Sequence, residues 1–269
     1  MIEPKVVHYA SHPTRAGMRD LSADLYLLAP RRRADLVVWL HAGGFRTGGR
    51  AHGNHTRLAA TFARNGVASA FIDYRLARPA AVLRPETKAL LPALTADAKA
   101  AGEEMSPTFV GPRALAVVED CVAFLNFIHE RHQEFGLGGR FILAGSSAGA
   151  ISVLNTLYLP KALGLTRPPV ATVLCFSGGF AYPSYVHETG ARILALNAPG
   201  DERVPISSIR RLARLAPDPI LLIESDAQAH GTTRISKADT LSASIERCVA
   251  FHRAEDPLAL PIPDFEGTS

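Results

Sequence analysis

The 269-residue chain is poor in the residues that build disulfide frameworks and metal centres, with three cysteines and three methionines. The cysteines, Cys121, Cys175 and Cys248, form no Cys-x-x-Cys pair and lie in apolar stretches. We therefore expect them to be reduced core residues of a cytoplasmic protein. A metal site needs clustered ligands, and the sequence has no such cluster, so no metal or cofactor is predicted.

Long apolar runs and a broad basic face are also missing. No run approaches the ~20 apolar residues of a membrane span, and MIEPKVVHYASHPTRAGMRD at the start lacks the apolar core of a secretory signal. The net charge is only +4, and the densest basic run, residues 31–33, lies between two strand-like stretches. Nucleic-acid binding calls for a wider basic face. The sequence therefore predicts neither a nucleic-acid nor a membrane partner, and it leaves the oligomeric state open.

Short apolar runs alternate with segments of helical periodicity along the chain. DLVVWLHAGG (35–44), RFILAG (140–145) and PILLIES (219–225) are typical of strands buried on both faces. Residues 113–134 carry an apolar side chain every three or four positions, as in a helix. The alternation predicts one α/β domain over residues 1–269, with a mostly parallel sheet of about eight strands flanked by helices.

One segment, from Arg78 to Gly111, departs from this pattern. It is rich in Ala, Pro and Leu, and Pro79, Pro85 and Pro92 interrupt it. A long excursion inside a compact domain is often a lid or a binding loop. We interpret the segment as a lid-like insertion, with a surface detour that has no function as the alternative.

The stretch Gly145-Ser146-Ser147-Ala148-Gly149 fits Gly-x-Ser-x-Gly in one register only. In that motif the central serine sits on a sharp turn from strand to helix, and bulky residues two positions away would clash. The preceding RFILA and the following ISVLNTLYL supply the strand and the helix. The pattern predicts Ser147 as a nucleophile and Ser146 as its tolerated neighbour.

A serine hydroxyl needs a base to become a nucleophile at neutral pH. His230 follows the predicted strand PILLIES across a short loop, which puts it at the same edge of the sheet as Ser147. It is the predicted base. His129, His132 and His252 fall in helical patterns, and we expect them to be structural.

The base in turn needs an orienting carboxylate. Asp201 stands in the loop NAPGDERVP after a predicted strand. Its neighbour Glu202 is expected to point elsewhere, and Asp226, close to His230, is the main alternative. The order Ser147, Asp201, His230 is that of the α/β-hydrolase nucleophile, acid and histidine.

The loop LHAGGF (40–45) ends the first buried strand after the N-terminal hairpin. Its small residues allow backbone N–H groups to turn toward a developing negative charge. Gly43 and Gly44 are predicted donors of an oxyanion hole, with the N–H of Ala148 as a third. A flexible glycine turn is the alternative.

The motifs HAGGF, DYRLA, GSSAG, GDERVP and AHG, in this order, resemble the α/β-hydrolase superfamily over about residues 20–253. They look most like its HGGG-bearing carboxylesterase branch, which includes the hormone-sensitive-lipase-like esterases. The resemblance implies an α/β-hydrolase fold and makes His41 an organiser of the oxyanion loop. It implies that Ser147 is the nucleophile, Asp201 the acid and His230 the base. It also implies that the oxyanion donors are Gly43, Gly44 and Ala148.

Two departures accompany the resemblance. Ala42 replaces the first glycine of HGGG, and the short interval from Ser147 to Asp201 leaves little room for a cap domain between those strands, so we expect no large cap domain.

The function that these features predict is hydrolysis of a small-molecule carboxylic ester through an acyl-enzyme on Ser147. The same three residues could instead act on an arylformamide, a lactone or a small peptide. A non-catalytic ligand-binding protein on a hydrolase scaffold is the third hypothesis. The sequence identifies neither the substrate nor the residues that bind it.

Overall fold

The computed structural model describes residues 3–28, 33–51, 54–225 and 230–259. The strands are β1 (Lys5–Thr14), β2 (Gly17–Tyr26), β3 (Ala34–Leu40), β4 (Ala68–Ile72), β5 (Leu137–Ser146), β6 (Val170–Phe176), β7 (Arg192–Asn197) and β8 (Ile220–Glu224). The helices of these ranges are α1 (His55–Arg64), α2 (Pro85–Ala100), α3 (Pro112–Glu130), α4 (Ala148–Tyr158), α5 (Ile206–Leu215) and α6 (Leu241–Arg253), with 3₁₀ turns at Pro183–Tyr185 and Pro257–Ala259. Of the residues discussed above, those outside the described ranges are Met1, Ile2, Arg31, Arg32, Asp226 and Ala229.

All eight strands form one sheet in the order β1-β2-β4-β3-β5-β6-β7-β8. The strands from β4 to β8 in this order pair in parallel, whereas β2 pairs antiparallel with both β1 and β4. The mostly parallel eight-stranded sheet predicted from the sequence is confirmed. Because the carboxyl ends of β3, β5, β7 and β8 share one edge, the loops that follow these strands meet there.

Two apolar layers cover the sheet, one on each face. Successive strand residues point to opposite faces, so Leu36 and Val38 of β3 join the layer that contains α3 and α4. Val37 and Trp39 of the same strand join the layer that contains α1 and α6. Burial on both faces explains why the central strands appear in the sequence as continuous apolar runs.

The segment 78–111 contains a helix that the sequence interpretation did not anticipate. Pro85 is the first residue of α2, where the missing N–H of a proline leaves no helical hydrogen bond unmade. Pro92 lies inside the helix, although proline usually interrupts one. Leu94 and Ala98 are buried and join the same core layer as α3, so burial of this face offsets the hydrogen bond that Pro92 cannot make.

The three cysteines are unpaired and buried. Burial raises the pKa of each thiol to about 12, so the thiolate is scarce at neutral pH. No helix in the described ranges is both long enough and apolar enough to cross a membrane. The same ranges contain no group of three or more His, Cys, Asp or Glu side chains arranged to hold a metal ion.

Candidate active site

Ser147 lies on the turn between β5 and α4, at the carboxyl edge of the central strand. Its backbone has φ 55° and ψ −120°, a left-handed conformation that residues other than glycine rarely adopt. The Ser147 N–H donates to the carbonyl of Phe176 at 2.9 Å, which ties the turn to the neighbouring strand β6. The surrounding sheet therefore holds a strained serine backbone at the position that the Gly-x-Ser-x-Gly pattern indicates.

The two glycines of the motif lie where no side chain fits. A Cβ on Gly145 would lie 2.5 Å from the carbonyl carbon of Gly149. A Cβ on Gly149 would lie 2.0 Å from the carbonyl oxygen of Leu40 at the end of β3. Helix α4 thus starts in direct backbone contact with β3, and this approach requires glycine two positions from the serine.

Ser147, His230 and Asp201 form a continuous hydrogen-bonded chain. His230 Nε2 is 2.7 Å from Ser147 Oγ, and His230 Nδ1 is 2.6 Å from Asp201 Oδ2. Because a carboxylate only accepts, Nδ1 carries the hydrogen and Nε2 accepts from the serine hydroxyl. The other oxygen of Asp201 accepts from the N–H groups of Arg203 at 2.9 Å and Val204 at 3.1 Å, which fixes the carboxylate toward the imidazole.

The alternative acids and bases occupy other places. Glu202 is exposed, and Asp226 lies outside the described residues. His252 is buried near the starts of β3 and β6, with Nδ1 2.7 Å from Thr172 Oγ1 and Nε2 2.9 Å from Asp35 Oδ2. Two further histidines, at and just after the end of α3, stack on each other. The structure brings none of these histidines to Ser147.

The loop after β3 makes a tight turn beside α4. Gly43 has φ 123° and Gly44 has φ 59°, and the carbonyl of Gly43 accepts from the N–H groups of Arg46 and Thr47 at 3.0 and 3.2 Å. The N–H of Gly44 has no recorded acceptor in the described part of the chain. Ala148 is the first residue of α4, so its N–H has no partner within the helix. That these amides bind an oxyanion remains a prediction.

His41 is packed beneath this loop. Its ring stacks on Tyr74 with centroids 4.0 Å apart, Tyr74 Oη donates to the His41 carbonyl at 2.7 Å, and Nδ1 is 2.7 Å from the Ala42 carbonyl oxygen. A Cβ on Gly48 would lie 2.2 Å from His41 Nδ1. These contacts fit a residue that shapes the loop. Ala42 is exposed and has no positive φ, which explains how alanine fits where the related motif has glycine.

Two serines to which the sequence assigns no role hold Gly231, the residue after His230. Ser177 Oγ accepts from the N–H of Gly231 at 2.9 Å, and Ser146 Oγ donates to the carbonyl of Gly231 at 3.3 Å. Ser177 is fully buried just after β6 and has φ 54°. The signal available in the sequence was the FSGGF stretch, which ends a predicted strand at the same sheet edge.

The predicted insertion lies against the loop that follows β3. The ring of Phe109 packs edge-on to that of Phe45, the residue after Gly44, at 6.1 Å. The carbonyl of Val110 accepts from Tyr182 Oη at 2.6 Å. The end of the insertion thus packs against the loop that follows β3 and is hydrogen-bonded to the segment that follows β6.

Solved structures with the same architecture include esterases from Thermogutta terrifontis. Esterase 2 phosphorylated by paraoxon aligns with a TM-score of 0.65 and 16% identity over 91% of each chain. Its propionate-bound form aligns with the same TM-score and identity over 91% of this chain and 90% of that one. This chain has the α/β-hydrolase fold. No protein-family model matches the sequence, and no curated protein matches it either.

The α/β-hydrolase fold accounts for the positions of all the predicted site residues. It places Ser147 after β5, Asp201 after β7 and His230 after β8, while Gly43 and Gly44 follow β3. At this level of identity the similarity establishes the fold alone, so the chemistry must be inferred from the site.

Proposed function

We propose that the protein is a serine hydrolase of the HGGG-bearing carboxylesterase type that cleaves carboxylic esters of small molecules. The observation that carries the proposal is the chain of short hydrogen bonds from Ser147 through His230 to Asp201, at 2.7 and 2.6 Å. A nucleophile, a base and an orienting carboxylate in this relation are what acyl transfer requires. We also propose that residues 1–269 form one domain, because all the described strands join a single sheet.

In the acylation step, Ser147 Oγ attacks the ester carbonyl carbon while His230 Nε2 takes the hydroxyl proton. Asp201 stabilises the imidazolium that forms. The N–H groups of Gly43, Gly44 and Ala148 stabilise the negative oxygen of the tetrahedral intermediate, each by about 3–4 kcal/mol. His230 then gives its proton to the leaving alcohol, and an acyl ester remains on Ser147.

In the deacylation step, His230 takes a proton from a water molecule as that water attacks the acyl carbonyl. Collapse of the second intermediate returns the proton to Ser147 and releases the carboxylic acid. Because His230 must be uncharged to accept a proton, kcat/KM should fall toward acid pH. A flat acidic limb would contradict its role as base.

The structural neighbours support the reaction class. Structures of Thermogutta terrifontis esterase 2 show it phosphorylated by paraoxon and with propionate bound. By analogy, we expect this protein to react with organophosphates and to accept short acyl chains. We further propose that the segment 78–111 forms a lid-like cover for the substrate, because Phe109 packs on Phe45 of the oxyanion loop.

The test is p-nitrophenyl acetate hydrolysis by Ser147→Ala with Ser146→Ala as the matched control. We expect Ser147→Ala to lower kcat by roughly four to six orders of magnitude, and Ser146→Ala to lower it by about threefold or less. Full activity in Ser147→Ala would refute the assignment. Comparing kcat/KM among an ester, an arylformamide, a lactone and a small peptide then identifies the bond that the site prefers.

A further inference from the structure

A cavity of about 490 Å³ opens beside the oxyanion loop, between the segment after β4 and the start of α3. This volume suits a small-molecule ligand. Its lining is unusual in charge, since the lining residues include four arginines and, within the described chain, no carboxylate. The four are Arg15, Arg46, Arg75 and Arg113.

One of these arginines is already neutralised. Arg75 is buried and bonds Glu119 Oε2 at 2.6 Å and Asp120 Oδ1 at 2.8 Å. His12 Nδ1 also lies 2.5 Å from Asp120 Oδ1. Counting the guanidinium and the two carboxylates alone, this buried cluster carries one net negative charge, which lies behind the cavity wall.

The other three arginines are available. Within the described residues, no hydrogen bond or ion pair involves the side chain of Arg15, Arg46 or Arg113. The hydrogen bonds that these residues form involve their backbone groups. Arg15 and Arg46 are exposed, and Arg113 is half-buried. Three guanidinium groups against one net negative charge leave an excess of two positive charges at the cavity.

The start of α3 adds to this positive potential. Gly111 and Pro112 line the cavity together with Arg113, and no side chain caps the N-terminus of this 19-residue helix. The first turn of a helix carries about half a positive elementary charge. The helix therefore reinforces the arginines.

We propose that this cavity binds an oxyanion, a carboxylate or a phosphate group. Guanidinium groups match the paired oxygens of both anions with two parallel hydrogen bonds. The anion has two sources, a free ion or the acidic group at the far end of an ester substrate. The second source is worth testing because Arg46 lies two residues after Gly44 in the chain, so their Cα atoms are at most about 7 Å apart.

Calorimetric titration with inorganic phosphate, and separately with glutarate, tests the site without reference to hydrolysis. At constant ionic strength in chloride, we expect saturable binding that Arg113→Gln weakens about tenfold. Arg140→Gln is the matched control, because Arg140 is exposed and lies 3.8 Å from Asp35, away from the cavity. Arg46→Gln replaces Arg113→Gln if that variant does not fold. Absence of binding, or an equal loss in Arg140→Gln, would overturn the proposal.

A kinetic comparison identifies the source of the anion, and it rests on the proposed ester hydrolysis. The measured quantity is kcat/KM for the mono-p-nitrophenyl ester of glutaric acid relative to that for p-nitrophenyl pentanoate. If the substrate carries the anion, Arg113→Gln lowers this ratio and phosphate competes with the charged ester. If the anion is free, the ratio stays constant while phosphate binding is lost. Failure of hydrolysis leaves the calorimetric result standing, so the two proposals fail separately.

Discussion

Replacement of Ser177 by alanine tests whether the loop that carries His230 is held in place from outside the hydrogen-bonded chain. The Ser177 hydroxyl accepts from the Gly231 N–H at 2.9 Å, at a serine with no exposed surface. Alanine leaves that N–H without its acceptor and introduces no bulk. The perturbation is therefore confined to the peptide that follows His230.

The magnitude follows from the lost hydrogen bond. Because Gly231 is only half-buried, we use the net value of a typical hydrogen bond, about 0.5–1.5 kcal/mol. If the loop relieves this cost by moving, the population with His230 correctly placed falls by roughly 2-fold to 12-fold. Ser146→Ala removes a bond of 3.3 Å to the Gly231 carbonyl, which is long for a hydroxyl donor, so we expect a loss of about threefold or less.

The assay is steady-state hydrolysis of p-nitrophenyl acetate, with kcat and KM measured separately for Ser177→Ala and Ser146→Ala. A misplaced base should lower kcat and leave KM nearly unchanged. A melting curve for each variant distinguishes positioning from a general loss of stability. Unchanged kcat in a folded Ser177→Ala protein would refute the reasoning, as would a larger loss in Ser146→Ala.

Three further predictions concern the stability and packing of the fold. Gly149→Ala should lower the free energy of unfolding by about 3 kcal/mol in urea titrations, because the new Cβ would lie 2.0 Å from the Leu40 carbonyl oxygen. Gly200 has open space around it, so the control Gly200→Ala should change the free energy of unfolding by under about 1 kcal/mol. The hydrogen bond from His252 lowers the pKa of Asp35 below its ordinary 3.8. Ionised Asp35 therefore stabilises the fold above pH 3.8, and this contribution is lost as the pH falls through the lowered pKa. In urea titrations from pH 2 to 7, the free energy of unfolding should fall less toward acid pH for Asp35→Asn than for the wild type. The three buried thiols should resist Ellman's reagent in the native protein and all react in guanidinium, and rapid labelling of native protein would contradict their burial.

The sequence was most informative where the physics is local. A strand buried on both faces needs a continuous apolar run, so the central strands could be located directly. The backbone contact of Gly149 with Leu40 permits no side chain, and that requirement appears in the sequence as the Gly-x-Ser-x-Gly pattern. The positions of Asp201 and His230 followed from the rule that loops after parallel strands share an edge.

Features that depend on distant contacts were not predictable in this way. Helix α2 contains Pro92, and the local rule against proline inside helices pointed to an interrupted loop. The helix forms because Leu94 is buried in the core, which no local pattern shows. Ser177 and Gly231 are 54 positions apart in sequence, so their hydrogen bond appears only once the strand order is known.

The central claim, that Ser147 is the nucleophile, is tested most directly by locating a covalent adduct. The folded protein is treated with a fluorophosphonate, digested with trypsin and analysed by fragmentation mass spectrometry. The peptide from residue 141 to residue 161 contains both Ser146 and Ser147. We predict one label per chain, on Ser147, and its loss in His230→Ala. An unlabelled folded protein, or a label on Ser146 or on another residue, would contradict the proposed mechanism.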